Sequence, residues 1–143
     1  MTLKNIKYSA IIKLISKRNT EGEFDKSELS YSGNYCIKDG KVYITYAETD
    51  GTNNLVKVLE NSITIRRTGS FSSVMEYVRN EQTEFNYRTP YGAIPMQIKT
   101  HRIVNGLNED GGKIMFSYTL ISGGHASENE ISMEIRRLTI KSQ

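Results

Sequence analysis

The feature that most constrains the fold is an alternation of apolar and polar side chains along almost the whole chain. Successive side chains on a β-strand point to opposite faces of the sheet, so a period of two residues indicates strands. Seven of the nine tyrosines share the apolar side of this pattern: Tyr8, Tyr31, Tyr35, Tyr46, Tyr77, Tyr87 and Tyr118. If the strands close on themselves, we expect an aromatic interior whose hydroxyl groups need partners.

The alternation predicts a series of short strands in order along the chain. The first runs from Ile6 to Leu14 with its even residues inward, and the second runs from Leu29 to Ile37 with its odd residues inward. Asp39-Gly40 then supplies a hairpin turn, because this dipeptide tolerates positive φ angles. Similar turns separate the later segments, and no helical period of comparable length is present.

We therefore expect an all-β protein, an antiparallel up-and-down meander of about eight to ten strands. A sandwich is the other arrangement open to such strands. A closed barrel is favoured because closure removes exposed strand edges. A barrel of this size has an interior that side chains fill or that holds one small ligand.

Two local expectations concern the turns and the last strand. The apolar side changes from odd residues up to Ile135 to even residues at Leu138 and Ile140. A one-residue bulge around Arg136-Arg137 would keep one face inward. In the turn Pro90-Tyr91-Gly92, we expect the Tyr91 ring to pack against a strand end.

Composition limits the class of protein and its location. The 143 residues contain no linker or low-complexity tract, so residues 1–143 are expected to form one domain. Nineteen basic and sixteen acidic residues leave a net charge of only +3, so the charge does not point to a nucleic-acid partner. The single cysteine, Cys36, favours a reducing compartment. Lysines interrupt the first seventeen residues, so we expect no signal peptide, no membrane partner and a cytoplasmic location.

Four short motifs carry a resemblance to a known family. They are Tyr87-Arg88-Thr89-Pro90-Tyr91-Gly92, Tyr46-Ala47-Glu48, Ile65-Arg66-Arg67-Thr68-Gly69 and Ile114-Met115-Phe116-Ser117-Tyr118. From Glu28 to Ile140 the chain resembles the YwiB-like family of Gram-positive bacterial proteins, in the order and spacing of these motifs. The resemblance implies a calycin-like barrel, similar to lipocalins and fatty-acid-binding proteins. It carries over no activity, because the family is a domain of unknown function.

Glu48 and Arg67 are the charged residues that the alternation places among the tyrosines. A charge buried alone is costly, so the two side chains should pair with each other or bind something. One interpretation is a structural ion pair braced by tyrosine hydroxyls. The other makes Arg67 the anchor for a ligand carboxylate or phosphate, because its planar fork of donors suits both groups.

Tyrosine and methionine side chains could together line a cavity for an amphipathic molecule, since they combine apolar area, adaptable shape and a few polar contacts. Alternatively, tyrosines at the barrel ends keep their hydroxyls in water and Met75, Met96 and Met133 fill the middle. The candidate ligand-binding residues are Tyr31, Tyr35, Tyr46, Glu48, Arg67, Tyr87, Met96 and Tyr118.

Other chemistries have little support in the sequence. His101, His125 and Cys36 have no metal-ligand spacing and form no recognisable triad, and no cofactor motif or catalytic residue stands out. The basic pairs Lys17-Arg18, Arg66-Arg67 and Arg136-Arg137 would each give only one charge to a strand face, which favours a solvated surface over an RNA site.

The sequence thus favours a binding protein over an enzyme. The leading hypothesis is a barrel that holds a small amphipathic or anionic ligand in a tyrosine-lined interior. The alternative is a protein- or RNA-interaction module with a solid barrel core and no ligand. Oligomeric state is not constrained.

Overall fold

The computed structural model describes residues 4–138, which form ten antiparallel strands. The strands are β1 (Ile6–Thr20), β2 (Glu23–Lys38), β3 (Lys41–Ala47), β4 (Asn53–Val58), β5 (Ser62–Thr68), β6 (Ser73–Val78), β7 (Gln82–Thr89), β8 (Gly92–Asn108), β9 (Gly111–Ser122) and β10 (His125–Arg137). Each strand pairs with its neighbour in the chain except β6 with β7, and β1 also pairs with β10. The expected all-β meander is confirmed as a nearly closed barrel.

The barrel is left incomplete between β6 and β7, an interval that we call the seam. One bridge joins the two strands, in which Ser72 and Arg88 exchange backbone hydrogen bonds of 3.0 and 2.9 Å. Near the connecting turn, Asn80 and Glu81 instead bond to the backbone of Thr100 on β8. Closure thus depends on these contacts and on the hydrogen bond that the Thr83 hydroxyl donates to the Glu76 carbonyl, and not on a continuous ladder.

The interior is solid at the end where the β2–β3, β4–β5 and β8–β9 turns meet. The buried residues there include Ile37, Val42, Ile63 and Tyr35. The Tyr35 hydroxyl donates a hydrogen bond of 2.8 Å to the carbonyl of Asn108, and that of Tyr8 donates one of 2.9 Å to the carbonyl of Glu109. Two large rings therefore fill this end without leaving their hydroxyls unpaired.

The predicted bulge around Arg136-Arg137 is wrong. β10 pairs with β1 in unbroken register as far as Arg137 opposite Ala10, and the side chain of Leu138 is 41% exposed. Because Leu138 does not belong to the core, no shift is needed to turn it inward. Ile140 lies outside the described residues. The register shift occurs instead in β8, between Thr100 and Arg102.

The expectation that Tyr91 packs against a strand end is also wrong, because its side chain is 98% exposed. The turn is closed by Thr89. Its hydroxyl accepts a hydrogen bond from the Tyr91 amide and donates one to the Gly92 carbonyl.

Gly33 allows β2 to pass close to its neighbours. A Cβ atom at this position would lie 2.1 Å from the carbonyl oxygen of Thr45 and 2.7 Å from Cδ1 of Ile12. Because the first of these is a backbone atom, a rotamer change cannot relieve the clash. Gly33 thus sets how closely the wall formed by β1, β2 and β3 can curve.

Gly33→Ala should therefore lower the free energy of unfolding by about 2 kcal/mol or more, because the new methyl group forces the β2–β3 ladder apart. Urea unfolding measures this change. The matched control is Ser32→Ala, an exposed neighbour, which should stay within about 0.5 kcal/mol of wild type. Equal stability of the Gly33→Ala variant and the wild type would show that the curvature does not depend on this contact.

Candidate functional site

The half of the barrel opposite the solid end encloses a cavity of about 420 Å³ that opens to solvent. Its apolar wall includes Ile65, Met75, Phe116 and Met133. Besides tyrosines, its lining includes four charged or amide side chains near the rim: Arg18, Glu48, Asn54 and Arg67. An apolar chamber with polar groups at its mouth is the usual form of a small-molecule site.

Three neighbouring strands bring the central polar residues together. Tyr46 on β3 lies opposite Asn54 on β4, and Asn54 lies opposite Arg67 on β5. Glu48 follows the end of β3, in a turn closed by hydrogen bonds to Gly51 and Thr52. The antiparallel register and this short turn therefore fix the four side chains in one cluster.

Glu48 and Arg67 form an ion pair, with 2.7 Å between Glu48 Oε2 and Arg67 Nη2. Asn54 Nδ2 donates a second hydrogen bond of 2.9 Å to the same oxygen. Burial lowers the pKa of Arg67, but the hydrogen bond and charge of Glu48 outweigh it, so its pKa lies above the ordinary value. The guanidinium stays charged and keeps N–H donors that Glu48 does not occupy.

Arg18 is a second cation at the cavity, and sequence reasoning missed it. Its Nε donates a hydrogen bond of 3.1 Å to Asn129 Oδ1, and no carboxylate among residues 4–138 forms an ion pair with it. The signal was the even parity of the first strand, which continues from Leu14 through Ser16 to Arg18. The strand extends to Thr20, six residues beyond its predicted end at Leu14, and this extension brings Arg18 to the cavity.

Aromatic rings give the cavity a rigid wall. Tyr31 and Tyr46 stack with their centroids 4.9 Å apart, and the Tyr77 ring lies 4.8 Å from both Phe116 and Tyr118. Burial raises the pKa of Tyr46 to about 12 and also raises those of Tyr77 and Tyr118. These phenols are therefore neutral near pH 7 and able to donate hydrogen bonds.

Six of the eight candidate residues line the cavity: Tyr46, Glu48, Arg67, Tyr87, Met96 and Tyr118. Tyr31 is not among the lining residues, but its ring stacks on the ring of Tyr46, which is. Tyr35 is not part of the cavity, because it is buried at the solid end with its hydroxyl on Asn108. Asn54 is not among the candidate residues, but it belongs to the cluster through its hydrogen bond to Glu48.

A chain of hydrogen bonds on the outer face resembles a catalytic triad only in composition. His101 Nε2 lies 2.7 Å from Thr119 Oγ1, which donates to Glu128 at 2.8 Å. In a triad the imidazole stands between the hydroxyl and the carboxylate and takes the hydroxyl proton. Here the Thr119 hydroxyl stands in the middle and donates a hydrogen bond to the Glu128 carboxylate.

A family model described as a domain of unknown function (DUF1934) matches residues 12–135. The chain belongs to this family. The chain is also similar to the uncharacterized beta-barrel protein YwiB of Bacillus subtilis strain 168. It is 26% identical over 106 residues, which cover 72% of this chain and 75% of YwiB.

The crystal structure of the ywiB protein from Bacillus subtilis superposes with a TM-score of 0.81. The match covers 93% of this chain and 94% of that chain at 24% identity. The expected YwiB-like resemblance and the barrel are thus confirmed, while the DUF1934 description assigns no activity.

Two further findings apply to the described part of this DUF1934 chain. Between residues 4 and 138, no helix is long and apolar enough to cross a membrane. In the same range, no group of three His, Cys, Asp or Glu side chains is placed to hold a metal ion.

The Glu48–Arg67 pair should show measurable coupling. In a double-mutant cycle of Glu48→Gln and Arg67→Met on urea unfolding, we expect a coupling energy of about 1 kcal/mol, because both side chains are partly shielded from water. The pair Lys13–Glu28, at 2.9 Å on the outer surface, is the matched control and should couple more weakly. Additive effects at Glu48 and Arg67 would contradict a formed ion pair.

Stability should fall at high pH through Tyr46. Burial, and next the charge of Glu48, raises the pKa of Tyr46 from 10.0 to about 12 in the folded state. The folded protein then holds the phenol proton more tightly, so this stabilisation is complete below pH 10 and is lost as the pH rises toward 12.

Tyr46→Phe should make this decline in the free energy of unfolding less steep, by about 1.4 kcal/mol per pH unit at most. Urea unfolding at a series of pH values measures the slope. Ile44→Val, a destabilising change without a titrating group, should keep the wild-type slope. An unchanged slope in Tyr46→Phe would show that Tyr46 titrates alike in the folded and unfolded states.

Proposed function

We propose that this DUF1934 barrel binds a small, partly apolar molecule with an anionic or polar end in its open half. The observation that carries this proposal is the cavity of about 420 Å³ beside Tyr46 and Tyr118. Its volume falls within the range of about 300–1,000 Å³ found for small-molecule sites. A barrel that worked only through its outer face would have no need of this space.

The lining suggests how such a molecule is oriented. Its apolar part packs against Met75, Met96, Phe116 and Met133, where flexible thioethers adapt to the shape of the guest. Its polar end stays at the rim. There Arg18 supplies one cation, and Arg67 supplies the N–H donors that Glu48 leaves free.

Tyrosine hydroxyls support the same orientation. Those of Tyr8 and Tyr35 bond to backbone carbonyls at the solid end. The hydroxyls of Tyr46 and Tyr87, which line the cavity, form none of the tyrosine hydrogen bonds found within residues 4–138, so they are available to water or a ligand. A set of neutral donors around an apolar chamber gives specificity without the cost of burying a charge.

This proposal is the calycin-like interpretation of the fold, in which the barrel carries its ligand inside. We place the protein in the cytoplasm, where the free thiol of Cys36 would stay reduced. The solid-core interaction module is the less favoured alternative, because only one half of this interior is filled by side chains.

A thermal-shift screen of acyl chains, nucleotides and organic acids tests the proposal. A compound present at about 100 times its dissociation constant should raise the free energy of unfolding by about 2.7 kcal/mol. Met96→Trp, which adds bulk inside the cavity, should abolish the shift. The control Met115→Trp changes the same residue type on the opposite side of the sheet and should retain it.

The screen also separates the roles within the cavity. Arg67→Met should weaken binding of anionic compounds more than that of neutral ones, because only the former use the guanidinium. The proposal fails if no compound shifts the wild type. It also fails if Met96→Trp binds every hit as well as the wild type does.

A further inference from the structure

The seam exposes backbone groups that a complete barrel would pair. In an antiparallel pair, residues that exchange both hydrogen bonds alternate with residues that exchange none. Ser72 and Arg88 exchange both, so Val74 and Asn86 are the next positions whose N–H groups point across the seam. No bridge joins these two residues. The amides of Val74 and Asn86 therefore lack a ladder partner.

A groove of about 420 Å³ lies over this part of the seam, and donors dominate its lining. Its lining residues include three arginines, Arg66, Arg67 and Arg88, together with Thr68, Ser72 and Ser73. Glu84 is the one carboxylate among the lining residues, and it lies four residues from Arg88 along β7. Such a surface fits a partner that supplies acceptors.

The arginines have donors to spare. Arg66 and Arg88 form no ion pair with any carboxylate in residues 4–138. Arg67 uses Nη2 on Glu48, and the rest of its fork of five N–H donors remains. Amides of β6 and β7 and guanidinium groups of β5 and β7 thus lie around one groove.

We propose that the seam groove is a binding site for a phosphate-class oxyanion, either free or as a monoester. A phosphate group presents several strong acceptor oxygens and pairs with arginine through two parallel hydrogen bonds. These oxygens would accept from the amides of Val74 and Asn86, and from Arg66 and Arg88, whose side chains lie on the outer face. The site is separate from the cavity ligand proposed above, because the groove opens on the outer face of β5, β6 and β7.

Titration of the nitrogen-15-labelled protein with inorganic phosphate, at constant ionic strength set by sodium chloride, tests this site. We expect saturable shifts centred on the amides of Val74 and Asn86, because phosphate fills the place of the missing ladder partner. Arg88→Met should weaken phosphate binding about tenfold. Arg66→Met should also weaken it, because Arg66 lies opposite Val74 on the same face of the sheet as Arg88.

The matched control is Arg102→Met, on an exposed strand position outside the groove, which should bind phosphate as the wild type does. The spectra of the variants report directly whether each one is folded. A parallel titration with phenyl phosphate distinguishes the two forms of the anion. Tighter binding of the ester assigns the site to a phosphorylated molecule, and tighter binding of phosphate assigns it to the free ion.

Three results would overturn the proposal: no saturation by either anion, shifts spread evenly over surface arginines, or equal weakening by Arg88→Met and Arg102→Met. None of them bears on the cavity, where the screen of the wild type and Met96→Trp gives a separate answer.

Discussion

Only one face of a sheet that closes on itself can be buried, and in this chain seven tyrosines fall on that face. A phenol ring fills space as a hydrophobe does, but its hydroxyl needs a partner or water. At one end the β8–β9 turn supplies carbonyls to Tyr8 and Tyr35, and the barrel is solid there. At the other end Tyr46 and Tyr87 line an open cavity, and their hydroxyls remain free for other partners.

The fold could be predicted from the sequence because strand alternation and turn chemistry are both local. Asp39 and Gly40 adopt φ angles of 53° and 78°, the positive values for which the dipeptide was assigned to a hairpin. Alternation also brought Tyr46, Glu48 and Arg67 to the inside. Alternation could not tell Tyr35 from Tyr118, because both side chains fall on the inward side of their strands. The two residues differ in their height along the barrel axis.

The seam and the register shift, which were not predicted from the sequence, depend on how the sheet closes into a barrel. The seam exists because β6 and β7 diverge after one bridge, although the turn between them is short. The register shift in β8 left a signal in the sequence, since the inward side chains change from Ile98 and Thr100 to Ile103. We placed the bulge at the end of β10 instead, where the exposure of Leu138 removes the need for one. The positions of unpaired edges are set by how ten strands meet around a cylinder.

The central claim is that half of this tyrosine-lined interior is open for a guest. Native mass spectrometry of the protein, purified from its own host under non-denaturing conditions, tests it most directly. The account predicts a non-covalent adduct of defined mass that is lost when the barrel unfolds. The mass of the bare chain alone, in every preparation and at the gentlest ionisation energy, would contradict it.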